Sequence, residues 1–343
     1  MPVARWMRRL AILGVLLCFT VVVLGAYVRL TAAGLGCPDW PGCYGHLSPL
    51  GAAASAATQA DYARPLEVGK AWREMIHRYA VGTLSALILA LAVLAVRTRR
   101  ARLVPIPFAL ALLATLLVQA LLGMLTVTWQ LNPLIVTLHL LFGMTTLGML
   151  WWLMLSLPMS SWDAAAIHAP GRSIRGGGAS PLSSALHLTV IGLAALGVQI
   201  ALGGWTSSNY AAISCPDFPT CQGSLWPHAD FAQGFVLWHD RINYKGGVLA
   251  NPARVAIHLS HRLGALVTTL ALAGAAIFVL RRRGLSAARP RAWAVLAALG
   301  LQLGIGITMV VRGFPLWLAT AHTAGAALLL LATLALLRAL TAR

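Results

Sequence analysis

Charged residues are scarce in this sequence: only 10% of its 343 residues are Asp, Glu, Lys or Arg, whereas soluble domains usually carry roughly 25%. Hydrophobic residues make up 59% of the chain and occur in long runs. This composition excludes an ordinary soluble globular protein, and runs of about 20 apolar residues are what an α-helix needs to cross a bilayer. The sequence therefore predicts an all-α polytopic membrane protein.

Acidic residues are the rarer charge. The chain has eight Asp and Glu against 26 Lys and Arg, which gives a formal net charge of +18. Nucleic-acid-binding proteins also show such an excess, but here the arginines cluster in alternate loops, as at 5–9, 97–102 and 281–291. By the positive-inside rule these loops face the cytoplasm, and seven of the eight acidic residues lie in or beside the other loops. We expect a lipid bilayer and no nucleic acid as partners, with both termini cytoplasmic.

Hydrophobic runs predict eight transmembrane helices, four in each half of the chain. An even number of spans per half gives both halves the same orientation, so we expect two tandem four-helix bundles related by a pseudo-two-fold axis along the membrane normal. The first span aligns with the fifth, which favours a permanent helix over a cleaved signal peptide. The predicted spans are roughly 10–28, 79–97, 103–128, 134–157, 183–205, 259–280, 291–311 and 316–340.

Cysteine is rare as well, and four of the five cysteines form two copies of one pattern. Residues 37–43 and 215–221 both match CPDxPxC. Prolines that turn the chain, together with an oxidising outer compartment, favour a disulfide within each copy. Free thiols are the alternative, and metal binding is less favoured because the spacing exceeds the usual C-x₂₋₄-C. The predicted pairs are Cys37 with Cys43 and Cys215 with Cys221.

A histidine pattern also occurs twice and defines the two halves. Residues 74–78 read EMIHR and return about 184 positions later as HLSHR at 258–262. Downstream, His139 and His322 each lie near the start of a later span. Matched landmarks in one order indicate a tandem duplication. We expect an N-terminal half at 1–157, a cytoplasmic linker at 158–182 and a C-terminal half at 183–343.

Two histidine pairs are expected in the outer part of the bilayer, His77 with His139 and His261 with His322. Ionisable residues in spans indicate function because their burial is costly. The paired helices run in the same direction, so two imidazoles can meet across a four-helix bundle and bind a haem iron from both sides. Taken singly, each histidine could instead be a satisfied polar residue. A glycine that follows each histidine within about a turn would leave room for the macrocycle: Gly82, Gly143, Gly264 and Gly325.

Glu74 distinguishes two otherwise matched sites, because His258 occupies the corresponding position in the second half. Glu74 lies three residues before His77, on the same face of a helix, where a carboxyl group could act as general acid or base. The alternative is an ion pair with a nearby arginine. Arg78 and Arg262 follow the first histidine of each half, where they could bind haem propionates or extend to lipid headgroups.

These motifs together resemble the haem A synthase family. The resemblance covers nearly the whole chain and includes Arg29-Leu30-Thr31, the CPDWPxC loop, the E-x-x-H-R sequence before the second span, the later histidines and the duplicated eight-span plan. It implies oxidation of haem O to haem A. In that reaction the C8 methyl is hydroxylated twice, and the gem-diol loses water to give a formyl group.

The resemblance also implies a division of labour between the halves. His261 and His322 would hold a permanent haem b, whereas His77 and His139 would receive haem O. We expect the inner membrane of a bacterium as the location, with haem O synthase and cytochrome oxidase assembly as partners besides an electron donor. A cysteine pair in each half departs from the simplest family pattern, which leaves open whether the second pair is redox-active or only braces its loop.

Three classes of function compete for a bis-histidine dihaem membrane protein. The first is an enzyme that modifies one of its haems, the second a b-type cytochrome that carries electrons between quinone and a partner, and the third a duplicated transporter. Transporters need polar or broken helices near the midplane, whereas these spans are nearly unbroken. A plain electron carrier gives no reason for a carboxylate at one site only, so Glu74 favours the enzyme.

Overall fold

The computed structural model gives the chain an all-helical fold. It describes residues 2–54, 62, 64–101, 103–158, 181–239 and 243–341. Within these ranges eight helices are long and apolar enough to span a membrane, and no β-strand forms. The predicted fold class and number of spans are therefore confirmed. The helices are α1 (Pro2–Leu30), α2 (Val68–Arg97), α3 (Ile106–Thr128), α4 (Pro133–Ser156), α5 (Pro181–Ser208), α6 (Asn251–Arg281), α7 (Arg289–Val311) and α8 (Leu316–Thr341).

Helices α2 and α6 begin well before the predicted spans at 79 and 259. Their first turns are too polar to count as membrane-spanning, but they pack against the disulfide loops. Ala71 and Met75 of α2 are buried with Cys37 and Cys43 in one cluster, and α6 makes the equivalent contact with its own loop. Burial against a loop, rather than against lipid, therefore stabilises these extensions.

Each half forms a ring of four helices. In the N-terminal half α1 contacts α2, α2 contacts α3, α3 contacts α4 and α4 contacts α1. In the C-terminal half α5 to α8 contact one another in the same order. Each ring is an up-and-down four-helix bundle, in which the interior is the place for a cofactor.

The halves contact each other through α1 with α8, α4 with α5, and α4 with α8. Helix α1 corresponds to α5, and α4 to α8. Exchanging the halves therefore turns the contact of α1 with α8 into that of α5 with α4, and leaves the contact of α4 with α8 unchanged. A two-fold axis requires this pattern, but the axis itself stays a prediction. At the outer end Arg29 Nη2 donates to the carbonyl of Ser207 at 2.8 Å. The linker predicted at 158–182 lies almost wholly outside the described residues.

The two disulfide loops are built alike. Cys37 is bonded to Cys43, and Cys215 to Cys221, as predicted. In each loop an aspartate accepts hydrogen bonds from two backbone N–H groups just after the second cysteine. Asp39 accepts from Tyr44 and Gly45. The corresponding acceptor in the second half is Asp217, with Gln222 and Gly223 as donors. The shared geometry supports the tandem duplication.

Alkylation should distinguish disulfides from free thiols in solution. We expect that non-reduced, denatured protein treated with an alkylating reagent carries label on Cys18 alone, because Cys18 is the free cysteine. Prior reduction should add label to the other four. Mass spectrometry of the peptides reads the result, and complete labelling of either pair without reduction would contradict the disulfide assignment.

Asp217 should make the stability of its loop depend on pH. Hydrogen bonds lower the pKa of its carboxyl from 3.8 to about 2, chiefly the bond from the Thr220 hydroxyl and then those from backbone N–H groups. Because the folded pKa is depressed, the stabilisation is complete above the unfolded pKa and is lost as the pH falls towards about 2. We expect Asp217→Asn to speed phosphine reduction of Cys215–Cys221 at neutral pH, with the ratio to the parent approaching one near pH 2. A ratio that does not change with pH would contradict this role.

Candidate histidine sites in the two bundles

All four predicted histidines lie towards the end of the bundles that carries the disulfide loops. They stand about 9–15 Å along their helices from that end, given a rise of 1.5 Å per residue. Both histidines of a pair belong to helices that start at this end. The pairs therefore lie within the apolar part of the bundle rather than in the loops.

The C-terminal bundle brings the rings of His261 and His322 together in an edge-to-face arrangement. Their ring centres are 6.3 Å apart, with an angle of 76° between the ring planes. In the N-terminal bundle His77 and His139 lie close enough to interact electrostatically. Two imidazoles in such an arrangement can bind one metal ion from opposite sides.

A glycine on the preceding helix backs each histidine ring. A methyl group on these glycines would lie 3.0–3.3 Å from the Cε1 atom of the ring, which is tighter than ordinary contact. The glycine on α1 is Gly25, beside His77. The other three contacts join α3 to α4, α5 to α6 and α7 to α8: Gly123 with His139, Gly203 with His261, and Gly306 with His322.

The glycines that we predicted to make room for a macrocycle have another role. The space beside three of them is occupied by glutamine side chains from the preceding helix: Gly143 by Gln119, Gly264 by Gln199 and Gly325 by Gln302. Gly82, the fourth, has no atom from another described element within 4 Å of its added methyl position. The sequence analysis missed the glutamines, although each occurs in a Q-x-x-x-G pattern that ends at a ring-backing glycine.

Each glutamine also forms a hydrogen bond with the histidine of the next helix. The Nε2 atoms of Gln119, Gln199 and Gln302 donate to the backbone carbonyls of His139, His261 and His322 at 3.0, 3.0 and 3.1 Å. In the C-terminal half the amides also reach the rings. Gln199 Nε2 lies 3.1 Å from His261 Nδ1, and Gln302 Nε2 lies 3.3 Å from both ring nitrogens of His322.

Glu74 is buried at the end of the N-terminal bundle that carries the disulfide loop, 5% exposed. Its Oε1 accepts from Arg78 Nη2 at 2.5 Å, and its Oε2 accepts from the backbone N–H of Cys37 at 2.9 Å. The ion pair that we considered as the alternative is therefore present, and it fixes the carboxylate between α2 and the disulfide loop. Whether Glu74 also takes part in chemistry stays a prediction.

His258 occupies the equivalent position in the C-terminal bundle and is 4% exposed. It interacts with the backbone of Ala211 and Ala212. An imidazole held by backbone groups replaces the carboxylate, so the two halves differ in charge at this point. The predicted asymmetry is therefore a feature of two buried, matched positions.

The arginines after the first histidines bind the disulfide loops. Arg78 Nη1 donates to the carbonyl of Asp39 at 2.9 Å. In the second half Arg262 donates to the carbonyls of Asp217 and Thr220, both at 2.7 Å. Each arginine thus attaches its loop to the histidine-bearing helix of the same half.

Comparison with known proteins identifies the family. The family model described as cytochrome oxidase assembly protein, COX15-CtaA, matches residues 8–334. The chain belongs to this family. The match includes all eight helices, both disulfide loops and all four histidines of the two pairs, so the resemblance seen in the sequence is confirmed.

Relatives of nearly full length carry a single name. A haem A synthase from Shewanella oneidensis is 37% identical over 95% of this chain and 93% of its own length. The haem A synthase of Caulobacter sp. strain K31 is 28% identical over 96% of this chain and 93% of its own. The haem A synthase of Methylorubrum extorquens is 30% identical over 96% of this chain and 85% of its own length.

Proposed function

We propose that this protein is a haem A synthase, which oxidises the C8 methyl of haem O to a formyl group by successive hydroxylation. The observation that carries the proposal is membership of a family in which relatives of matching length are named haem A synthase. Two histidine pairs, one in each bundle, supply the ligands for two haems. His261 and His322 hold haem b, and His77 and His139 bind the substrate haem O.

The C-terminal pair fits a resident haem b. Two imidazoles that bind one metal ion from opposite sides, at about 2 Å from each nitrogen, have ring centres about 6 Å apart, which agrees with 6.3 Å between His261 and His322. Gly203 and Gly306 leave both rings without a side chain behind them. Haem b held by these histidines would supply electron transfer.

The N-terminal pair fits the substrate because, among the described residues, a buried carboxylate lies near this site and none lies near the other. Each hydroxylation replaces one hydrogen of the methyl group by a hydroxyl group, and the gem-diol then loses water to leave the formyl group. In the dehydration one hydroxyl group accepts a proton and leaves as water while the other gives up its proton, so protons have to be moved inside an apolar bundle. Glu74 lies one helical turn before His77, held by Arg78 and the Cys37 N–H, where it takes up and passes on those protons.

The arginines support an orientation with both termini in the cytoplasm. Described arginines at the inner ends of the helices include Arg8, Arg97, Arg281 and Arg338, and the positive-inside rule assigns that side to the cytoplasm. The disulfide loops and both histidine sites then lie towards the oxidising outer side of a bacterial inner membrane. In this location the protein accepts haem O from its synthase and delivers haem A to cytochrome oxidase assembly.

Extraction of the haems tests the function directly. We expect protein purified from cells that also make haem O to contain haem b together with haem O, its hydroxylated derivative and haem A, separated by reversed-phase chromatography. Cells lacking haem O synthase provide the control, in which haem b remains alone. Haem b alone in both preparations would contradict the synthase and favour the electron-carrying cytochrome.

Adding a methyl group behind a histidine ring should weaken haem b binding. In Gly203→Ala the new methyl would lie 3.2 Å from His261 Cε1, and overpacking typically costs about 1–3 kcal/mol, so the affinity for haem b should fall about ten- to hundredfold. Gly197→Ala is the matched control on α5, because its methyl meets no atom within 4 Å. Haem titration of both proteins measures the effect, and equal affinities would show that the ring has no fixed position.

A further inference from the structure

Three of the four histidines contact a glutamine of the preceding helix in the described part of the chain, and His77 is the exception. His139, His261 and His322 each accept a hydrogen bond from a glutamine of the preceding helix. The preceding helix of His77 is α1, where the position four residues before the ring-backing glycine is Val21. Val21 is buried in the apolar core and cannot replace the amide. Within the described residues the Nδ1 atoms of both His77 and His139 are without a hydrogen-bond partner, so the glutamine bond to the His139 backbone carbonyl is what distinguishes these two histidines.

The amide oxygens of the three glutamines indicate what the side chains are for. Oε1 of Gln119, Gln199 and Gln302 is buried without a hydrogen-bond partner among the described residues, and an unpaired buried acceptor is costly. A histidine that binds a metal through one ring nitrogen carries a proton on the other and needs an acceptor for it. In the structure the Nε2 atoms lie beside the rings of His261 and His322; turning the amide over about its terminal bond would place Oε1 there as the acceptor, whereas valine offers no polar group.

Space for the amide is also absent beside His77. A glycine one turn after the histidine receives the glutamine side chain in the other three cases. In α2 the corresponding positions are Ala80 and Val81, which pack against the core. The helix pair α1 and α2 therefore differs from the other three helix pairs at two positions, one on α1 and one on α2.

We infer that Gln119, Gln199 and Gln302 are positioning residues that fix three of the axial histidines, and that His77 is the weakly held ligand, which detaches when the substrate enters and the product leaves. The inference rests on the proposed function. A permanent haem needs two fixed ligands, which His261 and His322 provide. A haem that is exchanged needs one fixed ligand, His139, and one ligand that dissociates readily, His77.

The rate at which each site loses its haem to a scavenger protein distinguishes the two sites. The purified protein with its resident haem b is loaded with one equivalent of mesohaem, whose absorption bands differ from those of haem b, and then mixed with excess apomyoglobin. We expect mesohaem to leave at least tenfold faster than haem b. If the two leave at the same rate, His77 is not the weaker ligand.

Glutamine variants test the positioning role in each half. Gln199→Met and Gln302→Met keep the side-chain length but remove the amide, so haem b should leave about three- to tenfold faster while mesohaem is unaffected, given the usual worth of one hydrogen bond. Gln119→Met should speed the loss of mesohaem alone. Equal rates in all three variants, with unfolding temperatures near that of the parent, would overturn the inference.

Adding an amide beside His77 should slow the loss of haem, a result that misfolding cannot produce. Val21→Gln combined with Ala80→Gly supplies the missing amide and its space, and we expect mesohaem to leave about three- to tenfold more slowly. Unchanged or faster loss from the folded double variant would contradict the role of Val21. Haem A formation in cells is measured separately, so a protein that meets every expectation here but makes no haem A refutes the proposed function and leaves the ligand assignment intact.

Discussion

Replacing His261 or His322 by alanine is expected to remove haem b from the protein. On the proposed assignment each ring supplies one of the two histidine ligands of the haem iron, so a variant with one remaining histidine would lose half of the protein–iron bonds. The absorption spectrum of the purified protein should lose its bis-histidine haem b bands. Haem A formation should stop as well, because electrons then have no route through the C-terminal bundle.

The same substitution in the other half is the matched control. His77→Ala and His139→Ala should retain most of the haem b spectrum and yet abolish haem A formation, since they remove ligands of the substrate rather than of the cofactor. Spectra and extracted haems are measured on the same preparations. Loss of haem b from the His77 and His139 variants, with retention in the other two, would mean that the functions of the halves are reversed.

Replacing Glu74 by glutamine is expected to lower the rate of haem A formation about 10²–10⁴-fold, the usual range for loss of a general acid or base. Glutamine keeps the size of the side chain and one oxygen, which can accept from Arg78 or from the Cys37 N–H, and the disulfide keeps the loop closed. The haem b spectrum should stay near normal. Haem O or its hydroxylated derivative should accumulate in place of haem A.

Glu67→Gln is the control for this change. Glu67 precedes α2 on the same outer side and pairs with Lys70 at 2.6 Å, but its side chain is 55% exposed and far from any histidine in sequence. The control should make haem A at the parent rate. If Glu74→Gln does so too, Glu74 serves only to attach the disulfide loop to α2; if it loses both haems, its role is in folding.

Much of the architecture could be predicted from the sequence because the bilayer limits what a long apolar run can do. In lipid the backbone must satisfy its own hydrogen bonds, so such runs become helices. The repeat of CPDxPxC and of the histidines at matched spacing then placed four histidines on four helices. Their pairing within each half follows from the order of the helices alone.

The helix ends were predicted less well because hydropathy measures contact with lipid. The first turns of α2 carry Glu74, Arg78 and Lys70, which are polar by composition, yet the helix continues through them because it packs on the loop of Cys37 and Cys43. No local pattern announces a partner that lies more than thirty residues away.

The sequence by itself determined the class of the protein, the number of spans, the duplication, the disulfide loops and the four histidines. Only the tertiary structure decided which glycines face the rings, that Gln119, Gln199 and Gln302 hold the next helix, that Glu74 binds Arg78, and that Val21 leaves His77 without an amide. Helical periodicity specifies the face on which a side chain lies, but its partner depends on how neighbouring helices are rotated and shifted against each other. That arrangement is set by the packing of the whole bundle.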